Sequence, residues 1–245
     1  MDFENRTAIV TGAGSGMGLL ASQKLAEGGA KVVLVDVNGT AAEAAVASIR
    51  GSGGEATASV TDVRDYQQVK AAVALALATY GSADILINSA GGAAQRVFGC
   101  TETWKDLDVA IIDWGLDVNL RGAIYFCHAV IGHMMEQGKG VIINMGSVEG
   151  VTGSYAVEYG AAKAGLIGLT KSLALYGAPH GIRACCVSPG PVLTRPAMAN
   201  METRLGRAAE PIEIVDLILY LCSDKAAFIT GQNYTIDGGR SLGGP

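Results

Sequence analysis

Tyr159 and Lys163 stand four residues apart in Tyr159-Gly-Ala-Ala-Lys163, and Ser147 lies 12 residues before the tyrosine. Residues four apart share one face of a helix, so the spacing puts the Lys163 ammonium beside the Tyr159 phenol. An unperturbed phenol has a pKa of about 10, too high for a base at neutral pH, and a neighbouring positive charge favours the phenolate. Tyr159 can then exchange a proton with a substrate oxygen, and Ser147 can hydrogen-bond the same oxygen. The trio suits acid–base chemistry at an alcohol or a carbonyl.

A second chemical feature lies near the N-terminus. Thr11-Gly12-Ala13-Gly14-Ser15-Gly16-Met17-Gly18 follows a short apolar run and leads into a helical one. In that setting glycines let the backbone approach a pyrophosphate, and the free N–H groups at the helix start hold its charge. Asp36 ends the next apolar run, 18 residues after Gly18, near the spacing at which a carboxylate accepts hydrogen bonds from an adenosine ribose. That carboxylate repels a 2′-phosphate, and neither the glycine loop nor the residues directly after Asp36 supply an Arg or Lys to bind one. The cofactor reading is therefore NAD rather than NADP.

The elements that must position these groups are visible as a pattern. Seven short runs read as strands: Thr7 to Val10, Lys31 to Val35, Ala56 to Val60, Asp84 to Asn88, Val141 to Met145, Arg183 to Val187 and Asn233 to Ile236. Most are apolar at nearly every position, as strands buried on both faces of a parallel sheet must be. Between them lie stretches with helical spacing, Leu19 to Glu27, Ala41 to Arg50, Tyr66 to Tyr80, Leu120 to Gln137, Tyr159 to Tyr176 and Pro211 to Cys222. The alternation predicts an α/β fold: a doubly wound Rossmann-type domain covering residues 1–245, with a seven-stranded, mainly parallel sheet and helices on both faces.

Composition excludes several functions. Of 245 residues 49% are hydrophobic and 17% charged, enough for a core and too apolar for disorder. The net charge of −5, without blocks of like charge, argues against a nucleic-acid groove or an anionic membrane surface. No apolar run reaches the roughly 20 residues of a spanning helix, and MDFENRTAIV lacks a signal core, so the sequence reads as soluble and cytoplasmic. Five cysteines without a CxxC pair and three histidines without ligand spacing predict neither disulfides nor a metal.

The ordered series resembles the short-chain dehydrogenase/reductase family over essentially the whole chain: TGAGSGMG at Thr11 to Gly18, Asp62-Val63, Asn88-Ser89-Ala90-Gly91, Asn119 in VNLRG, Ser147, Tyr159 with Lys163, Pro189-Gly190 and Thr194. The resemblance implies hydride transfer between NAD(H) and a secondary alcohol or ketone, with Tyr159 as general acid/base. It implies that Gly12, Ser15, Gly16, Met17 and Gly18 cradle the cofactor, that Asp62 and Val63 border its adenine, and that Asn88, Ala90 and Gly91 support the cleft. Pro189, Gly190, Val192 and Thr194 then serve the nicotinamide end, Val192 and Thr194 at its carboxamide. Lys163 also holds the nicotinamide ribose, and Asn119 anchors a proton-relay water. A homotetramer paired through Leu120 to Gln137 and Tyr159 to Tyr176 is expected, the latter helix carrying small residues at Gly160, Ala161, Ala164, Gly165 and Gly168.

Departures from the family bear on the substrate, a small molecule. Ser89 replaces the usual second asparagine, and the Ser147–Tyr159 spacing is one residue short. The stretch Gly92 to Trp104 is long and Arg195 to Gly206 short. We therefore expect a pocket open on the short side and closed by Gly92 to Trp104 through Arg96, Phe98 and Trp104, with Glu149 and Arg96 as the charged residues facing substrate. Three other readings share parts of the pattern. An NADPH-dependent 3-ketoacyl reductase conflicts with Asp36, a methyltransferase has no use for Ser147, Tyr159 and Lys163 in register, and a non-catalytic dinucleotide-binding protein has no use for a general base.

Overall fold

The apolar runs form seven strands, β1 (Thr7–Thr11), β2 (Lys31–Asp36), β3 (Glu55–Val60), β4 (Ile85–Asn88), β5 (Gly140–Met145), β6 (Ile182–Pro189) and β7 (Asn233–Ile236). The computed structural model describes residues 2–242, and in it all seven strands join one wholly parallel sheet in the order β3-β2-β1-β4-β5-β6-β7. Alternate residues of β2 show why its run is apolar throughout. Val32 and Leu34 enter one core with Leu25, Ile85 and Ile218, while Val33 and Val35 enter the other with Leu86, Phe126 and Ile142. Side chains on successive residues point to opposite faces, and helices cover both.

Chain order reverses between β1 and β4, the place where open parallel sheets bind ligands at their carboxyl ends. There Thr11 pairs with Asn88 and Asn88 with Asn144, so the apolar register ends in polar residues. α1 (Gly16–Glu27) follows β1 directly, and its N-cap Ser15 makes no side-chain cap. α2 (Gly39–Gly51), α3 (Tyr66–Tyr80), α8 (Val157–Gly177) and α9 (Pro211–Cys222) match the expected helices within three residues at each end.

The stretch before the sixth expected helix differs. Two α-helices lie between β4 and Leu120: the short α4 (Ala94–Phe98) and α5 (Val109–Leu116), whose sequence VAIIDWGL is too apolar to show a helical period. A π turn at Asp117–Arg121 then continues into α6 (Gly122–Gln137), so the helix predicted from Leu120 is the second half of a longer run. Such turns recur at functional sites. This one contains Asn119. A short α7 (Glu149–Thr152) follows β5. Cys127, Cys185 and Cys222 are buried in the apolar cores, Cys186 is buried against Ser188, Cys100 is half-buried, and all five are free. Among the described residues no helix is long and apolar enough to cross a membrane.

Candidate active site

The glycine loop is built for close approach. Gly12 has φ +65°, and a Cβ there would stand 2.9 Å from Ala90 Cα. A Cβ on Gly18 would strike the Gly12 carbonyl oxygen, whereas one on Gly16 would meet nothing within 4 Å because that residue opens on the cleft. The first two glycines let the loop fold, and the third leaves room for a ligand. Thr11 Oγ1 accepts from the Ser89 and Ala90 N–H groups at 3.0 Å each, tying the ends of β1 and β4 together.

One wall of this cleft carries Asp36, Asp62, Val63 and Arg64. Asp36 accepts from Gly14 N and Asn38 N, both at 2.9 Å, which fixes its carboxylate against the glycine loop. Arg64 is a cation at this end that the sequence reading overlooked. It is neutralised by Asp62, with Nη2 2.6 Å from Oδ2, and this hydrogen-bonded contact holds the Asp62 carboxyl below the usual carboxylate range.

Asn88 is buried beneath the cleft and does not line it. Its Nδ2 donates to Asn144 Oδ1 at 2.9 Å, and Asn144 Nδ2 donates to Thr170 Oγ1 at 2.9 Å. Ser89, Ala90 and Gly91 form the surface above. Asn119 is likewise buried. Its Oδ1 accepts from Gly92 N and its Nδ2 donates to Gly92 O, both at 2.9 Å, and to Gly115 O at 2.8 Å. Gly91 lies between Asn119 and Lys163, where a side chain would strike Asn119 Oδ1 and crowd Lys163 Nζ.

Ser147 follows β5, while Tyr159 and Lys163 face the cleft from α8. Gly150 brings the two elements together, since a Cβ there would stand 2.6 Å from the Lys163 carbonyl carbon. Lys163 Nζ donates to Met145 O at 2.7 Å and lies 5.5 Å from the Tyr159 ring centroid. Spacing alone predicts that Lys163 pulls the phenol down. In this structure burial dominates both groups: it pushes the Tyr159 phenol up and brings Lys163 down to about 8, because a low-dielectric site disfavours phenolate and ammonium alike. Glu149 also raises the phenol, while Ser147, Arg96 and Arg195 oppose the rise.

A second recess of about 250 Å³ opens beside Tyr159, lined by Ser147, Glu149, Arg96, Arg195 and Met198 and also by Pro189, Gly190, Val192 and Thr194. Glu149 is held there by Ser154 Oγ, which donates to Oε2 at 2.8 Å. Arg96 also faces the site, but Trp104 and Phe98 do not. Trp104 begins a short turn at the surface, and Phe98 packs edge-on against Trp114 at 5.2 Å. Trp114 is the aromatic that lines the cleft. The expected open side is also corrected. Arg195 to Gly206 forms no long helix, only a turn at Pro196–Asn200, yet Arg195, Met198 and Met201 reach the recess because β6 already ends there.

These charges give a first prediction. Alcohol oxidation needs the Tyr159 oxygen unprotonated, and burial keeps it protonated at neutral pH, so kcat/KM for oxidation should rise with pH across the neutral range. Glu149→Gln removes an anion that raises the phenol pKa and should move that rise to lower pH. Arg96→Ala removes a cation that lowers it and should move the rise to higher pH. pH–rate profiles of the two variants that shift in the same direction would contradict this arrangement.

A family model described as enoyl-(acyl carrier protein) reductase matches residues 12–241. Cyclohexanol dehydrogenase of Acinetobacter sp. (strain SE19) is 35% identical over 244 residues, 96% of this chain and 95% of that protein. Cis-4-hydroxycyclohexanecarboxylate dehydrogenase of Sinomonas cyclohexanicum is 37% identical over 248 residues, 97% of each. Among solved structures, that of gox2181 is similar with a TM-score of 0.91 at 33% identity, covering 99% of this chain and 98% of that one.

Proposed function

From its membership of the short-chain dehydrogenase/reductase family, to which this chain belongs, we propose that it is an NAD-dependent oxidoreductase of cyclic secondary alcohols and their ketones. Enzymes of the family work with nicotinamide dinucleotides, and this chain's glycine loop fits one: Gly16 leaves open the space a Cβ would fill, at the start of a helix without a side-chain cap. Gly12, Ser15, Gly16, Met17 and Gly18 would hold its phosphates, Asp36 the adenosine ribose, and Asp62 and Val63 the adenine edge. Ala90, Gly91, Pro189, Gly190, Val192 and Thr194 would line the remainder, with Asn88 supporting from beneath. When bound, the oxidised cofactor would supply the hydride acceptor for the carbinol carbon and a positive charge that favours the phenolate.

The chain's own groups handle the proton. The Tyr159 oxygen takes it from the substrate hydroxyl as the carbonyl forms, and returns it in the reverse direction. Ser147 hydrogen-bonds the substrate oxygen and favours the phenolate. Lys163, held by Met145 O, offsets the phenolate charge across the ring and would also hold the nicotinamide ribose. Asn119 clamps Gly92 and supports the route by which the proton leaves. The observation that carries the reading is the convergence of Ser147, Tyr159 and Lys163 at the mouth of a glycine-loop cleft. Its test is NADH formation from cyclohexanol; no NADH from cyclohexanol or other cyclic secondary alcohols would refute it.

A homotetramer fits the surface. On α8 Ala161, Ala164, Gly168 and Leu175 are exposed, and Ile124 and Gly132 on α6 are exposed as well. A Cβ added to Gly168 meets nothing within 4 Å. Apolar helix faces of this kind are seldom left in water. Light scattering at micromolar concentration should give four times the 25.1 kDa chain mass, and a monomer would contradict the expectation. NAD preference rests on Asp36 and on the neutralised Arg64.

A further inference from the structure

Two arginines face the reacting centre without a partner of opposite charge. Arg96, in α4, and Arg195, directly after Thr194, both border the recess beside Tyr159. Among the described residues neither meets a carboxylate within ion-pair distance. The Arg195 guanidinium reaches Met198 Sδ at 3.5 Å, a weak acceptor. The Arg96 guanidinium folds back over Gly92, into the space that a Cβ there would take. Gly92 is in turn fixed by both its backbone groups to Asn119. A glycine at 92 therefore directs this cation, and the site's own scaffold holds that glycine.

Like charges at a shared recess oppose each other unless an anion lies between them, and burial together with the Arg195 charge lowers the Arg96 pKa. The other charged groups on these walls pair with neither arginine. Glu149 is an anion on the same recess, but its carboxylate accepts from Ser154 Oγ and forms no ion pair with Arg96 or Arg195, and Arg240 adds a further cation whose Nη1 donates to Glu202 O at 2.8 Å. A planar guanidinium binds a carboxylate through two parallel hydrogen bonds. The recess, at about 250 Å³, lies just below the roughly 300–1,000 Å³ of ordinary ligand pockets, so the occupant is small.

We propose that Arg96 and Arg195 receive a carboxylate carried by the substrate, which makes the substrate class a small hydroxy acid and its keto acid rather than a neutral alcohol. The inference rests on the dehydrogenase reading for the alcohol half and on the arginines for the acid half. Because both arginines also border the cofactor cleft, the second source of a matching anion is the cofactor's own pyrophosphate, and the experiment must separate the two.

Calorimetric titration of the enzyme–NADH complex with cyclohexanecarboxylate and with cyclohexanecarboxamide does so without requiring turnover. Charge-assisted hydrogen bonds predict that the acid binds about 10- to 100-fold more tightly than the amide. Arg96→Ala and Arg195→Ala should each erase most of that difference, Arg96→Lys should restore part of it, and the NADH Kd of Arg96→Ala should equal that of the wild type. Equal binding of acid and amide by the wild type overturns the inference. So does an Arg96→Ala variant that weakens NADH instead of the acid, which assigns the arginine to the cofactor. Turnover arms separate this from the broader reading. NADH formation from cyclohexanol at or above the rate with 4-hydroxycyclohexanecarboxylate removes the acid preference and leaves the dehydrogenase. Arginine-dependent carboxylate binding without turnover of any alcohol keeps the anion site and removes the dehydrogenase.

Discussion

Tyr159→Phe should lower kcat by about 10²- to 10⁴-fold, the usual contribution of a positioned general acid or base, while leaving the NADH Kd close to that of the wild type. The variant deletes one oxygen, and the half-buried ring keeps its packing beneath the Lys163 ammonium. Lys163→Ala should behave differently. It removes a buried ammonium bonded to Met145 O, so both turnover and cofactor affinity should fall. Single-turnover kinetics with fluorescence titration of NADH separate the two patterns. A Tyr159→Phe enzyme retaining more than about a tenth of wild-type kcat would assign the proton to another group.

The second large effect concerns the cofactor. The wild type should favour NAD over NADP in kcat/KM by about 100-fold or more, since apposed like charges cost several kcal/mol and each 1.4 kcal/mol is about tenfold. The Asp36 carboxylate cannot swing away, because Gly14 N and Asn38 N hold both its oxygens. Asp36→Ala should narrow the preference by relieving NADP of repulsion. Asp62→Ala should also help NADP, by releasing the Arg64 guanidinium from its carboxylate partner. Equal kcat/KM for the two cofactors in the wild type would show that Asp36 does not face the ribose.

What could be read from the chain and what could not divides along physical lines. Strands such as VVLV betray themselves because both faces of the sheet are buried, and the order of Gly12, Asp36, Ser147, Tyr159 and Lys163 follows from their places at strand ends and on one helix face. Direction of side chains in an irregular segment has no such period. Trp104 and Arg96 belong to the same stretch, yet Arg96 turns into the cleft over Gly92 while Trp104 turns to the surface. α5 escaped because VAIIDWGL is apolar on almost every side, and with it escaped Trp114. Arg195 had a signal, its position directly after Thr194, and the shortness of the segment that follows hid its importance. Burial is likewise illegible from spacing: Lys163 lies four residues from Tyr159, but only the three-dimensional enclosure shows that both groups resist their charged forms.

The central claim, a hydride passed from a carbinol carbon to a nicotinamide under proton transfer at Tyr159, is tested most directly by isotope transfer. Cyclohexanol deuterated at the carbinol carbon, incubated with NAD and the enzyme in ordinary water, should yield reduced cofactor carrying that deuterium. Reaction in deuterated water with unlabelled alcohol should place none at the same position. Reduced cofactor that takes its new hydrogen from solvent, or cyclohexanol and other cyclic secondary alcohols left unoxidised with both NAD and NADP, would contradict the account.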